Sequence, residues 1–165
     1  MKNLFFIIIT AFNLNSFGVI EVGDLVPNLC YKNQHEQTLC LKDTEGQIRV
    51  LVHGSGWCPD CQREIVKLVE RFREFDGKGV VFYNLLAEGF KHKDPPDSAF
   101  LKAWTDKYKI PFPVASTPKN PGKQFFEPPS YIPNYVVVGR DGRLIFKSNE
   151  SEFEDFWVKL KQLVE

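Results

Sequence analysis

Apolar residues recur along the chain at two different spacings, which predict strands and helices. Residues 47–53 and 80–86 are rich in Val and Leu, as in strands that are buried on both faces. Between them, apolar residues follow Pro59 at helical spacing. Proline suits the first position of a helix, and Gly77 or Gly79 supplies its end. The pattern therefore predicts a central β-α-β unit.

Shorter segments on both sides of this unit complete the predicted sheet. They are a strand hairpin in residues 23–43 with its tip at 33–37, a helix at 98–108, a strand at 112–115, a helical piece at 123–126, strands at 134–138 and 144–147, and a final helix from Ser151. The two late strands flank Asp141-Gly142, a hairpin turn signal. This order predicts one α/β domain, a mixed sheet covered by helices.

The first 18 residues have the layout of a secretory signal peptide. A positively charged start is followed by an apolar run from Leu4 to Phe12, and Ser16 and Gly18 stand at the −3 and −1 positions of a cleavage site. The run is too short to span a bilayer. We therefore expect a signal peptide at 1–18 and the folded domain at 19–165, exported to the periplasm or secreted. The alternative is a buried first strand or helix.

Composition and charge argue against nucleic acid as a partner. Lys plus Arg and Asp plus Glu both number 21, so the formal net charge is zero. Without a basic stripe, the chain is not expected to bind nucleic acid. We expect a monomer.

The segment Trp57-Cys58-Pro59-Asp60-Cys61 carries the chemistry. Cys58 stands where the predicted helix begins, so unpaired backbone N–H groups and the helix dipole favour its thiolate. Cys61 lies one turn later, on the apolar face. We therefore expect Cys58 to be exposed and acidic and Cys61 to be buried, an asymmetry that suits thiol–disulfide exchange.

Three other roles for this pair are open but less favoured. A structural disulfide would constrain little chain, because the two cysteines are so close. A zinc site would need Cys30 and Cys40 as further ligands, at a spacing that is unusual for zinc. Haem attachment would need a histidine after the second cysteine, where Gln62 stands.

Cys30 and Cys40 are expected to form a second, structural disulfide. Both point to the same face of the predicted hairpin and flank its tip, and an exported chain meets an oxidising compartment. The competing hypothesis is that this pair relays electrons to the active site.

These motifs, in this order, resemble those of the thioredoxin-like superfamily and, more closely, the TlpA-like periplasmic oxidoreductases and redoxins. The resemblance runs from about Val22 to the end. It rests on the lead-in at 22–27, the Trp-Cys-Pro-x-Cys site, a glutamate three residues after the second cysteine, the phrase at 110–114, Ile132-Pro133 before a β-run and the turn at 139–143.

The resemblance implies roles for further residues. Pro133 matches the family's cis-proline, so Trp57, Pro59, Ile132 and Pro133 are expected to line the substrate groove; an ordinary trans-proline is the alternative. Glu64 matches an acidic residue that assists proton transfer, and a solvated helix charge is equally open. No cofactor is implied. Implied partners are protein disulfides, with apocytochrome c as one candidate, and a membrane thiol reductase as electron donor.

The chain departs from the family at positions near the site. Val52 stands where thioredoxins have a buried aspartate, so proton transfer to Cys61 would rest on Glu64 or water. His53 stands where relatives have an aromatic residue, and a packed, neutral histidine is favoured there. The function expected is an exported thiol–disulfide oxidoreductase working in the reducing direction. The alternatives are a thiol peroxidase, for which Ser55 is a weak clue, and a non-catalytic binding module with a buried, inert Cys58.

Overall fold

The computed structural model describes residues 18–91, 95–118, 122–149 and 153–165. The proposed signal peptide falls almost entirely on residues 1–17, outside the described part. Within that part, no helix is long and apolar enough to cross a membrane. The strands are β1 Cys30–Asn33, β2 Thr38–Cys40, β3 Ile48–Gly54, β4 Val80–Leu86, β5 Val114–Ser116, β6 Asn134–Val138 and β7 Leu144–Asn149. The helices are α1 Pro59–Arg71, α2 Ser98–Tyr108 and α3 Phe153–Gln162.

The strands form one mixed sheet in the order β2-β1-β5-β4-β3-β6-β7. Strands β3, β4 and β5 are parallel, and the other neighbours are antiparallel. Strand β3 lies between β4 and β6 and is buried along its whole length, as its Val- and Leu-rich sequence predicts. The predicted α/β fold with a mixed sheet and an N-terminal hairpin is therefore confirmed.

Side chains alternate between two cores, one on each face of the sheet. In β3, Val50 and Val52 join the core that contains buried residues of α1, α2 and α3, whereas Leu51 joins the other. Among the described residues, no α-helix contributes to this second core. It is covered by the N-terminal stretch, the 3₁₀ helix Leu41–Thr44 and the turn that carries Phe125. The described α-helices thus all cover the same face of the sheet.

Some predicted elements differ from the structure; strand β7, for example, extends to Asn149 rather than to residue 147. Strand β5 starts at Val114 rather than Phe112, because Pro113 has no N–H to give to a ladder. The helical piece expected at 123–126 is a turn in which the N–H groups of Phe125 and Phe126 both donate to the Gly122 carbonyl. Helix α1 ends at Arg71 and continues as a 3₁₀ helix, Phe72–Phe75, before the predicted glycine stop.

Candidate active site around Cys58 and Cys61

The cysteine pair follows the carboxyl end of β3, where α1 begins. Pro59 occupies the first turn of α1 and Cys58 is its N-cap. The two cysteines form a disulfide with their Cα atoms 5.2 Å apart. The backbone N–H of Cys61 points at Cys58 Sγ at 3.1 Å. After reduction this N–H and the helix dipole would stabilise a Cys58 thiolate, as the sequence predicts.

The expected exposure of Cys58 is wrong for this disulfide state. Cys58 is 4% exposed and Cys61 is 6% exposed, so both are buried. The covering segment precedes β6: the carbonyl oxygen of Ile132 lies 3.8 Å from Cys58 Sγ. The two cysteines still differ in their access to a groove of about 460 Å³, because Cys58 lines this groove and Cys61 does not.

The groove beside Cys58 brings together most of the residues expected at a substrate site. Its lining residues are Ser55, Trp57, Cys58, Pro59, Asp60, Ala87, Glu88, Ser130, Tyr131 and Ile132. The peptide bond between Ile132 and Pro133 is cis, the geometry that the family resemblance implies. Tyr131 is half-exposed, so the wall that faces Trp57 offers an aromatic surface.

Glu64 is buried, which excludes the solvated helix charge. It is 6% exposed; its Oε2 accepts a hydrogen bond from the Tyr135 hydroxyl at 2.8 Å and its Oε1 accepts one from Lys67 Nζ at 2.8 Å. Burial raises the pKa of Tyr135, and the Glu64 charge raises it further, so this hydroxyl stays a donor. Glu64 and Cys61 are three residues apart on α1, a spacing that makes side chains neighbours.

Tyr135 binds a buried carboxylate on the face where thioredoxins have a buried aspartate. Val52, which takes that position, is 4% exposed and lies in the helix-covered core. Tyr135 of β6 is its cross-strand partner and shares that core. Its hydroxyl donates to Glu64 instead, so the buried carboxylate that it binds comes from α1.

His53 is packed and neutral, as favoured from the sequence. It is fully buried, and its Nδ1 lies 2.8 Å from Asn134 Oδ1. The Asn134 amide donates to the Tyr131 carbonyl at 3.0 Å, so its oxygen faces His53 and Nδ1 carries the hydrogen. The pair thus ties the groove segment at 131–134 to β3. Among the described residues, Nε2 has no hydrogen-bond partner.

Acid should destabilise the protein through His53. Burial lowers the pKa of His53 from 6.5 to about 4. Between these pH values the unfolded chain binds a proton that the native histidine does not, so the free energy of unfolding falls as the pH falls. We expect a loss of about 2 kcal/mol from pH 7 to pH 5, measured by urea unfolding.

The His53→Gln variant should lose this part of the pH dependence, because glutamine does not titrate. His35→Gln removes an exposed histidine and is the matched control. If both variants keep the wild-type slope, acid destabilisation has another source.

Trp57 and Glu88 meet across the carboxyl ends of β3 and β4. The Trp57 Nε1–H donates to Glu88 Oε2 at 2.7 Å. The backbone ladder continues beyond these parallel strands, because the Gly56 N–H donates to the Glu88 carbonyl at 2.8 Å. A Cβ at Gly56 would lie 2.6 Å from Phe100 Cζ and 3.1 Å from the Gly89 carbonyl carbon. Glycine therefore permits this close approach.

Cys30 and Cys40 form a disulfide, as expected. They are direct cross-strand partners in the β1–β2 hairpin, with Cα atoms 4.0 Å apart. The four sulfurs thus form two separate bridges, an arrangement different from the four ligands of one zinc ion.

Removing this bridge should cost stability and leave catalysis intact. We expect the Cys30→Ser, Cys40→Ser double variant to lose about 3 kcal/mol of unfolding free energy, since the cross-link restricts the unfolded chain. Denaturant unfolding and a disulfide reductase assay measure the two quantities. Lost activity with unchanged stability would instead favour the electron relay.

Sequence reasoning missed three residues of the site: Glu88, Asn134 and Tyr135. Glu88 stood in a polar connection, yet it lies two residues after the end of β4, and the carboxyl ends of adjacent parallel strands meet. Tyr135 and Asn134 were assigned only to a strand. Their position just after Pro133 was the available signal.

Comparison with known proteins identifies the family of the chain and relatives with the same fold. The sequence profile of the AhpC/TSA family matches residues 22–146. The chain is 27% identical over 128 residues to the thiol–disulfide oxidoreductase ResA of Bacillus cereus, which is 76% of this chain and 68% of that protein.

Two solved structures share the fold at low sequence identity. One is the thioredoxin domain of a thiol–disulfide oxidoreductase from Bacteroides vulgatus, with a TM-score of 0.69 and 14% identity over 88% of this chain and 99% of that one. The other is a thioredoxin-family thiol:disulfide interchange protein from Chlorobium tepidum, with a TM-score of 0.68 and 16% identity over 86% of this chain and 96% of that one.

Proposed function

The chain belongs to the AhpC/TSA family and is a thiol–disulfide oxidoreductase, and we propose that it is exported and reduces protein disulfides through Cys58 and Cys61. The observation that carries the proposal is the disulfide at the start of α1, with Cys58 at the floor of a groove. The apolar run at 4–12 supports export.

The reaction starts from the reduced pair. The Cys58 thiolate attacks one sulfur of a substrate disulfide, which forms a mixed disulfide and releases the first substrate thiolate. Cys61 gives up its proton and attacks Cys58 Sγ, which releases the second substrate thiolate and leaves the Cys58–Cys61 disulfide. Two electrons pass to the substrate, and both released thiolates take up protons. A membrane thiol reductase then restores the dithiol, and apocytochrome c is one candidate substrate.

Each neighbouring residue has a role in this scheme. The helix start stabilises the Cys58 thiolate. The Ile132–Pro133 segment and Trp57 hold the substrate chain, and Glu64 accepts the Cys61 proton. The Tyr135 hydroxyl supports this last role, because its hydrogen bond fixes the position of the Glu64 carboxylate.

Reduced protein offered insulin as substrate tests the proposal. We expect the insulin disulfides to be reduced while Cys58 and Cys61 reoxidise, and Cys58 to be alkylated by iodoacetamide at lower pH than Cys61. We also expect a reduction potential below about −180 mV, the value of a disulfide isomerase.

Two outcomes would point to the alternatives. Turnover with hydrogen peroxide but not with insulin would identify a thiol peroxidase. A Cys58 that stays inert to iodoacetamide after reduction, together with no insulin reduction, would identify a non-catalytic binding module. The burial of Cys58 in the disulfide state makes labelling of the reduced state the decisive measurement.

A further inference from the structure

Glu88 projects a carboxylate into the groove from the end of β4. Trp57, Cys58 and Glu88 line the same groove. A substrate chain joined to Cys58 in a mixed disulfide must therefore pass through the space that this carboxylate borders. Tyr131 and Ile132 form part of the same lining.

Glu88 is held in place by two hydrogen bonds. Its backbone carbonyl accepts one from the Gly56 N–H at 2.8 Å, and its side-chain Oε2 accepts one from the Trp57 indole N–H at 2.7 Å. An indole is a neutral donor, so this hydrogen bond orients the carboxylate without neutralising it. Among the described residues, nothing donates a hydrogen bond to the second oxygen, Oε1.

Glu88 differs in this respect from the other carboxylate of the groove. Asp60 pairs with Arg63 one turn along α1, whereas Glu88 forms no ion pair with any described lysine or arginine. The groove lining contains no lysine or arginine. The whole chain has zero formal net charge, so an overall charge does not add to the effect of the Glu88 carboxylate.

We propose that Glu88 selects disulfide substrates that carry a lysine or arginine beside the cysteine under attack. This inference rests on the proposed function, and it specifies the substrate class. The cationic group would bind Oε1 of a carboxylate that Trp57 has already oriented, so little ordering cost remains on the enzyme side. An acidic residue next to the substrate cysteine would instead be repelled by the Glu88 carboxylate.

Two cyclic disulfide peptides that differ only in Lys or Glu next to one cysteine test the proposal. We expect the reduced protein to have a kcat/KM about fivefold higher for the lysine peptide, the effect of one exposed charge pair. The ratio should shrink in about 0.5 M salt through screening. Glu88→Gln, which keeps an acceptor for Trp57, should bring the ratio close to one, and Glu88→Lys should invert it.

The Glu70→Gln variant is the matched control, because it removes the same charge from an exposed position of α1 outside the groove. It should keep the wild-type ratio. If Glu88→Gln slows the reduction of both peptides equally, the proposal is overturned, because Glu88 would then act on the Cys58 thiol. A ratio of kcat/KM for the two peptides that stays at the wild-type value in Glu88→Gln would overturn it too.

A neutral disulfide separates this inference from the proposed function. If the wild type does not reduce hydroxyethyl disulfide or insulin, the proposed function fails. If it reduces them and treats the two peptides alike, only the role of Glu88 fails.

Discussion

Replacing Cys58 with serine should reduce disulfide reductase activity to the uncatalysed rate. A serine hydroxyl at the start of α1 is not a nucleophile toward sulfur at neutral pH, whereas the thiolate at this N-cap is. Cys61→Ser should behave differently. Its Cys58 still attacks, but nothing resolves the product, so the mixed disulfide with substrate accumulates. Non-reducing electrophoresis and mass spectrometry after one turnover distinguish the two variants.

The Cys30→Ser, Cys40→Ser protein is the control for these changes, because it loses two cysteines from the β1–β2 hairpin and keeps the active pair. Full activity in Cys58→Ser would refute the mechanism. A mixed disulfide trapped on Cys61 in that variant would instead reverse the roles of the two cysteines.

Replacing Glu64 with glutamine should slow resolution of the mixed disulfide by about 100-fold, the usual contribution of a positioned general base. Glutamine has the same shape and still accepts the Tyr135 hydroxyl, but it does not take the Cys61 proton. Stopped-flow measurement of the second step against pH reports the effect. The rate of Cys58 alkylation should change little, because the helix start rather than Glu64 activates that thiol.

Tyr135→Phe separates catalysis from stability. It keeps the Glu64 carboxylate and removes the buried hydroxyl that binds it, so we expect a loss of about 1 kcal/mol in unfolding free energy and a resolution rate within a few-fold of wild type. A Glu64→Gln protein with normal resolution at every pH would show that water takes the proton.

Local signals in the sequence were sufficient for most elements of the fold. Strand β4, helix α2 and strand β6 have the predicted bounds, because each is a run of one apolar periodicity between residues that stop it. The pairing of Cys30 with Cys40 followed from alternation around a hairpin tip, which places both side chains on one face. The position of Cys58 at the start of α1 followed from Pro59.

The tertiary structure alone decided what surrounds the cysteine pair. Ile132 covers Cys58 from 74 positions away along the chain, and Tyr135 binds Glu64 from 71 positions away. Glu88 reaches Trp57 only because β4 lies next to β3 in parallel register. Periodicity reports which face of a strand or helix is buried, but contacts between distant segments depend on strand order and register. The sequence alone therefore predicted the cysteine pair at the start of α1, and the packed sheet determined how far the pair is covered and which charges adjoin it.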